Sequence, residues 1–355
     1  MNSVSGISIV STLLSEWYEV HQRVLPWRLN PDPYKVWLSE IILQQTRVEQ
    51  GLPYFESILS RFPNVKALAD APLDDLLKHW QGLGYYSRAR NMHAAAKQVV
   101  NEFGGVFPKN YLTLLRLKGV GEYTAAAISS IVYGEPKAVV DGNVYRVLSR
   151  LFNIDTPINS TEGKRIFSNL AAEILDQEHP SRHNQAIMEF GALHCVPVRP
   201  DCGTCPLSAH CLALTAGRVA ELPVKTRGAA KQERYFLYLV PTDGQYTWLQ
   251  QRLEKDIWQN LWEFPLIEFL KAVTLEEILQ EPLLKTWFGD AYNLGNPLYF
   301  KHVLSHRIIH ATFLPVRIQQ LENIPTTWTK VPLNQLDTYA VSRMTDKYLN
   351  KATFW

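Results

Sequence analysis

The stretch LKGVGEYTAAAI, residues 117–128, places Gly119 and Gly121 on either side of Val120, just before a run of small apolar residues. A helix that arrives at such a Gly-x-Gly turn is stopped there, and the alanines beyond it start another at once. The N–H groups of the new helix point outward beside glycines that allow close approach, so the turn can hold a phosphate. A plain helix–turn–helix corner capped by its glycines would read the same, and the twelve residues alone leave both readings open.

Working outward, the helical period continues. Val36, Trp37, Glu40, Ile41 and Gln44 share one face, as do Leu112 and Leu115 and, later, Ala125, Ile128 and Ser129. This pattern predicts an all-helical region over residues 1–225. The segment 226–234 is polar and small, as linkers are. Beyond it, residues 235–240, 246–251 and 313–318 are short β-rich runs separated by turn residues, which predicts a smaller mixed α/β domain over 235–355.

Composition excludes several classes. The chain has 355 residues, is 46% hydrophobic and carries a formal charge of only +2, so any affinity for nucleic acid must come from local constellations. No apolar run approaches the roughly 18 residues of a membrane span. Residues 7–14 are apolar without preceding basic residues and run into Ser15-Glu16-Trp17-Tyr18, the start of an amphipathic helix rather than a leader. The expectation is a soluble cytoplasmic protein with reduced thiols and no membrane partner.

All four cysteines fall in CVPVRPDCGTCPLSAHC, residues 195–211. Cys195, Cys202, Cys205 and Cys211 form one close pair flanked by two single ligands, whereas zinc ribbons use two close pairs. Four thiolates on one compact loop suit an iron–sulfur cluster better, with a structural zinc as the alternative. A disulfide framework does not fit a long, core-forming chain.

Two carboxylates complete the pattern. Glu40 sits among Val36, Trp37, Ile41 and Leu43, where burial favours its protonated form and a general-acid role; a glutamate on a helix edge is the alternative. Asp141 follows an apolar run and precedes a helix, where free N–H groups favour its ionised form; a simple cap, shared with Asn143, is the alternative. One neutral and one anionic carboxyl is the division of labour that glycosidic bond cleavage needs.

Together, the Gly-Val-Gly hairpin, the Val140-Asp141-Gly142-Asn143 segment and the cysteine spacing resemble the helix–hairpin–helix DNA glycosylases that carry an iron–sulfur cluster. Pro26-Trp27-Arg28, Leu43-Gln44-Gln45-Thr46-Arg47-Val48 and Gly82-Leu83-Gly84-Tyr85-Tyr86 narrow the resemblance to adenine DNA glycosylases of the MutY type. It implies hydrolytic removal of adenine mispaired with 8-oxoguanine or guanine in double-stranded DNA, by a monomer acting at the nucleoid. Glu40 would protonate the purine and Asp141 would stabilise the charge on the sugar. Gly119, Val120 and Gly121 would hold backbone phosphate. Gln45 and Tyr85 would enter the base stack, Thr46 and Leu83 would flank the lesion, and Arg23, Trp27, Arg28 and Gln185 would line the adenine pocket. The cysteines would hold one [4Fe–4S] cluster, with Arg199 beside it as a phosphate contact.

Tyr123 stands where bifunctional relatives carry a Schiff-base lysine, and Lys118 lies before the hairpin. A phenol forms no such adduct, so a monofunctional enzyme is expected. The C-terminal region resembles a Nudix-related domain at Gln251-Arg252 and at residues 258–265, but residues 274–277 lack the acidic metal-binding signature. Recognition rather than hydrolysis is therefore expected there, through Ser305 and His306, with Leu304 in place of the family's phenylalanine. The competing functions are a bifunctional endonuclease III-like glycosylase/lyase and a non-catalytic iron–sulfur DNA-binding protein.

Overall fold

The computed structural model describes residues 3–226, 228, 230–289, 292–318 and 325–352. Up to residue 215 the chain is helical: α1 (Ser3–His21), α2 (Pro26–Leu29), α3 (Pro33–Leu43), α4 (Val48–Arg61), α5 (Val65–Asp70), α6 (Leu73–His79), α7 (Ser87–Phe103), α8 (Tyr111–Leu114), α9 (Glu122–Tyr133), α10 (Gly142–Leu151), α11 (Thr161–Ile174), α12 (Pro180–Leu193) and α13 (Leu212–Thr215). The sequence then gives β1 (Gln232–Thr242), β2 (Tyr246–Gln251), β3 (Trp262–Glu263), β4 (Leu266–Phe269), α14 (Leu275–Leu279), α15 (Pro282–Phe288), β5 (Tyr292–Leu294), β6 (Leu298–Val303), β7 (Arg307–Ile318), β8 (Trp328–Pro332) and α16 (Arg343–Leu349).

By contact the chain forms two compact units, residues 1–70 with 91–227 and residues 71–90 with 228–355. This differs from the expected cut at residue 225, because residues 71–90 lie within the helical stretch of sequence yet make their contacts with the second unit.

In the first unit, local chemistry fixes the helix starts. Asp32 caps α3 by accepting from the Lys35 N–H at 3.1 Å, with Pro33 at the first helical position. Ser160 caps α11 in the same way. Leu14, Trp17, Val144, Leu148, Phe167, Ile187 and Phe190 form a core between α1, α10, α11 and α12. The small side chains Ala125, Ala126 and Ala127 are buried on α9, which packs against α3 and α12. Leu112 departs from its predicted face: α8 is a single turn that buries Leu114 and leaves Leu112 largely in solvent.

The second unit is built on an eight-stranded sheet in which β1 and β7 run parallel and the other pairs are antiparallel. Gln232, Glu233 and Arg234, read as linker from their polarity, are the first rungs of β1 opposite Arg307, Ile308 and Ile309. Thr274 and Glu277 form a capping box at α14, so this acidic stretch serves a helix start. Among the described residues no helix is long and apolar enough to cross a membrane.

Candidate active site

The first unit contains a cavity of about 770 Å³ whose walls include Glu40, Tyr123, Asp141, Arg23, Trp27, Arg28, Thr46 and Gln185. Eight residues singled out in the sequence thus meet around one space, delivered by α2, α3, α9, α10 and α12 and the turns before and after them.

Glu40 projects from α3, only 8% exposed. Burial pushes its pKa up to about 7; the Asp141 charge adds to that, while the Tyr123 hydrogen bond and the Arg28 charge oppose it. The Tyr123 hydroxyl, from the first turn of α9, donates to Glu40 Oε2 and also lies 3.9 Å from Met188 Sδ. Burial and the two neighbouring carboxyls hold the phenol well above its ordinary pKa, so it remains a donor.

Asp141 is the N-cap of α10, accepting from the Val144 N–H at 2.7 Å and the Asn143 side-chain amide at 2.8 Å. Burial nevertheless raises its pKa, against these donors and the Arg146 charge. The helix start therefore offsets desolvation without outweighing it, a correction to the expectation from position alone. Asn143, seen from sequence as a rival cap, instead donates to Asp141. Its own Oδ1 accepts from Arg146 Nη2 at 2.9 Å, and Arg146 Nε reaches the Cys195 carbonyl at 2.8 Å.

Trp27 is buried edge-to-face on Phe55, with ring centres 4.9 Å apart. Gln185 accepts from the Tyr18 hydroxyl at 3.5 Å and donates to Ser181. Arg23 and Arg28 both reach Glu189, a carboxylate that sequence reasoning missed although it lies one turn beyond Gln185 on α12. Its partners are 161 and 166 residues away, so no local pattern announces it.

The hairpin stands apart from the cavity. Gly119 has φ +75°, and a Cβ there would come within 2.6 Å of Asn91 Cβ, so both conformation and packing exclude a larger residue. Val120 is buried, and Gly121 is the N-cap of α9 with no side-chain bond to its N–H groups. Gln45, just after α3, is exposed at φ 62°.

Four remaining candidates belong to the second unit. The Tyr85 and Ser305 hydroxyls are 2.9 Å apart, Tyr85 being half exposed at φ 49°. Leu83 is buried. Leu304, Ser305 and His306 connect β6 to β7, and the Leu304 carbonyl accepts from Lys231 Nζ at 2.8 Å.

Cys195, Cys202, Cys205 and Cys211 are all free thiols and line one small cavity, which Arg150 and His194 also touch. Arg150 ties the loop down through bonds to the Val196, Pro197, Val219 and Leu222 carbonyls, and its Nη1 lies 3.4 Å from Cys195 Sγ. Burial, opposed by the Leu207 N–H, and the neighbouring thiols push Cys205 up to about 11. Among the described residues no group of three or more Cys, His, Asp or Glu side chains is arranged to hold a metal ion, while four cysteines lining one space are, by the chemistry of their sulfurs, suited to an iron–sulfur cluster. Arg199 is exposed on the same loop at φ 50°.

Comparison with known proteins adds three findings. Residues 38–173 match the HhH-GPD superfamily base excision DNA repair protein family, and residues 235–351 match the NUDIX domain. The chain is 32% identical to the adenine DNA glycosylase of Buchnera aphidicola subsp. Baizongia pistaciae, covering 89% of each. It is 40% identical to that of Mus musculus, covering 86% of this chain and 70% of the relative. Among solved structures, a thermostable thymine-DNA glycosylase superposes with a TM-score of 0.55 at 26% identity, covering 60% of this chain and 98% of that one. A non-covalent endonuclease III–DNA complex gives 0.53 at 20% identity over 61% and 99%, a likeness of fold.

Proposed function

The chain belongs to the adenine DNA glycosylases, and we propose that it acts as a monofunctional enzyme on adenine opposite 8-oxoguanine or guanine, in double-stranded DNA. The observation that carries this reading is Glu40, buried on the cavity wall with a pKa of about 7 and coupled to Asp141.

Adenine must leave the duplex to reach such a cavity. Glu40, protonated near neutral pH and held by Tyr123, gives its proton to the purine so that the base leaves without its electron pair becoming a free anion. The Asp141 carboxylate, anchored by Asn143 and the start of α10, faces the positive charge that develops on the sugar, and water completes the hydrolysis. Tyr123 offers no amine, so the strand remains intact with an abasic site.

The hairpin Gly119–Val120–Gly121 binds backbone phosphate through the open N–H groups of α9. Gln45, Thr46, Leu83 and Tyr85 engage the stack around the lesion, and Ser305 and His306 read the opposite base. Arg23, Trp27, Arg28 and Gln185 surround the extruded adenine. Cys195, Cys202, Cys205 and Cys211 hold one [4Fe–4S] cluster, which supplies the fixed cross-link that folds their loop, and Arg199 contacts phosphate beside it. The protein works as a monomer in the cytoplasm, at the nucleoid.

Single-turnover assays on duplexes with adenine opposite 8-oxoguanine, guanine or cytosine test the reading. The expected order of excision is 8-oxoguanine, then guanine, then cytosine, with breaks visible only after alkali. Strand cleavage without alkali, in step with base release, would overturn it.

A further inference from the structure

Glu189 lines the base pocket and is a buried charged group that the mechanism above does not use. Glu189 is 99% buried in its side chain, with 1% exposed. Both its oxygens are engaged: Oε1 accepts from Arg23 Nε at 2.8 Å and the Arg23 N–H at 3.0 Å, while Oε2 accepts from Arg23 Nη2 and Arg28 Nη2, each at 2.9 Å. Two guanidinium groups therefore share one carboxylate, an arrangement that leaves the pair with one excess positive charge. Glu49 approaches Arg23 Nη1 only at 3.8 Å and is mostly in solvent. Arg28 Nη1 is buried with no hydrogen-bond partner among the described residues, so the clamp does not exhaust the donors of Arg28.

We propose that Glu189 is a positioning residue for base excision: it fixes the Arg28 guanidinium in the pocket and its negative charge limits how strongly that cation acts on Glu40. The inference rests on the functional reading above and adds a residue to it. Glu40 is faced by Tyr123 from α9, Asp141 at the start of α10 and Arg28 from α2. Glu189, from α12, is faced by Arg23 and Arg28 and lies near Tyr18 of α1. Arg28 is thus the one cation acting on both carboxyls, lowering the pKa of each.

The consequence is a pair of opposite effects on one curve. Excision needs protonated Glu40, so its rate falls on the alkaline side as Glu40 ionises. In Glu189→Gln the two arginines lose their counter-charge and favour ionised Glu40 more strongly. The alkaline limb should move down by about one pH unit, with a rate loss of about tenfold at pH 8. In Arg28→Met the cation itself is gone, and the limb should move up. The double variant should lie between the two single ones, and Glu189→Asp, which keeps the charge, should keep the wild-type limb.

The measurement is the pH profile of single-turnover excision by the full chain, with saturating enzyme and an A:8-oxoguanine duplex. A uniform loss in Glu189→Gln with the limb unmoved would make Glu189 a brace and overturn the proposal, as would a shift in the same direction as Arg28→Met. If Glu189→Gln lacks a native melting transition, Arg28→Met decides alone, an unmoved limb counting against the inference. Excision by wild type with no limb shift defeats the inference only; no adenine release by wild type defeats the functional reading and the inference with it.

Discussion

Replacing Glu40 by glutamine should abolish excision and make the protein more stable, with a gain that depends on pH. In the folded chain the carboxyl titrates at about 7 against an ordinary value of 4.5. Each pKa unit corresponds to about 1.4 kcal/mol, so the buried, ionised group opposes folding by about 3 kcal/mol once the pH exceeds 7. The sign follows from the raised value: the carboxyl is tolerated without penalty below the unfolded pKa, and that tolerance is lost as pH rises through the folded one. Glutamine never ionises and keeps the oxygen that accepts from Tyr123. Its amide must also be buried, which costs about 1 kcal/mol and leaves a net gain of about 2. At pH 8 the melting temperature should rise by roughly 4–8 °C. Near pH 4.5, where the ionisation penalty is gone, only the amide's cost should remain and the variant should be about 1 kcal/mol less stable than wild type. Thermal melts of both proteins across this range measure the effect, beside single-turnover assays in which the variant still binds its mispair but releases no adenine. A variant less stable than wild type at pH 8, or a gain independent of pH, would show that Glu40 is not held as a costly buried acid.

Gly191→Ala should slow excision about tenfold or more with little change in mispair binding, because the new Cβ would lie 2.7 Å from Asn143 Cβ and displace the amide that holds Asp141; a wild-type single-turnover rate would remove Asn143 from that role. Replacing Ser305 and His306 together by alanine should reduce the preference for A:8-oxoguanine over A:G by about tenfold while the rate at saturation stays near wild type. A full preference in competition assays would leave the loop as structure alone. Anaerobically prepared protein should contain iron and acid-labile sulfide in equal amounts, and stoichiometric zinc without iron would contradict the assignment of the cysteine loop.

What the sequence made legible was whatever depends on neighbours in the chain. Glu40 stood out because the residues one turn away from it are large and apolar, and Asp141 because a helix begins after it. Both line one cavity. The four cysteines announced themselves by crowding. Glu189 was invisible because its meaning lies in Arg23 and Arg28, which approach it only after α1, α2 and α12 have packed. Arg146 and Arg150 look like ordinary basic residues on an amphipathic helix until the carbonyls of residues 191–222 are seen to end on them. The polarity of residues 232–234 suggested a linker, but a strand whose polar side chains can pair across the sheet tolerates that composition, as Arg234 does with Asp256 and Glu268. Leu112 misled for the converse reason: a four-residue helix is barely one turn, too short for a face to repeat along it.

The allocation of residues 71–90 bears on how this chain can be shortened. The path leaves the first unit at Asp70, returns at Asn91 and leaves again near residue 227, so the units are joined by three strands of chain rather than one. Within the second unit, Asp74 accepts from Trp262 Nε1 and Gln251 Nε2, Gln81 accepts from the Val341 N–H and donates to Asp346, and Tyr86 donates to the Val341 carbonyl. A gene ending at residue 226 would keep this twenty-residue excursion, with its buried Leu76, Leu77 and Trp80, and discard the rest of the unit to which it belongs. Such a protein would be sticky and prone to associate, however well its catalytic groups were placed. The C-terminal portion is accordingly no detachable accessory: it shares its hydrogen bonds with residues 71–90, and removing it would require redesigning that segment as well.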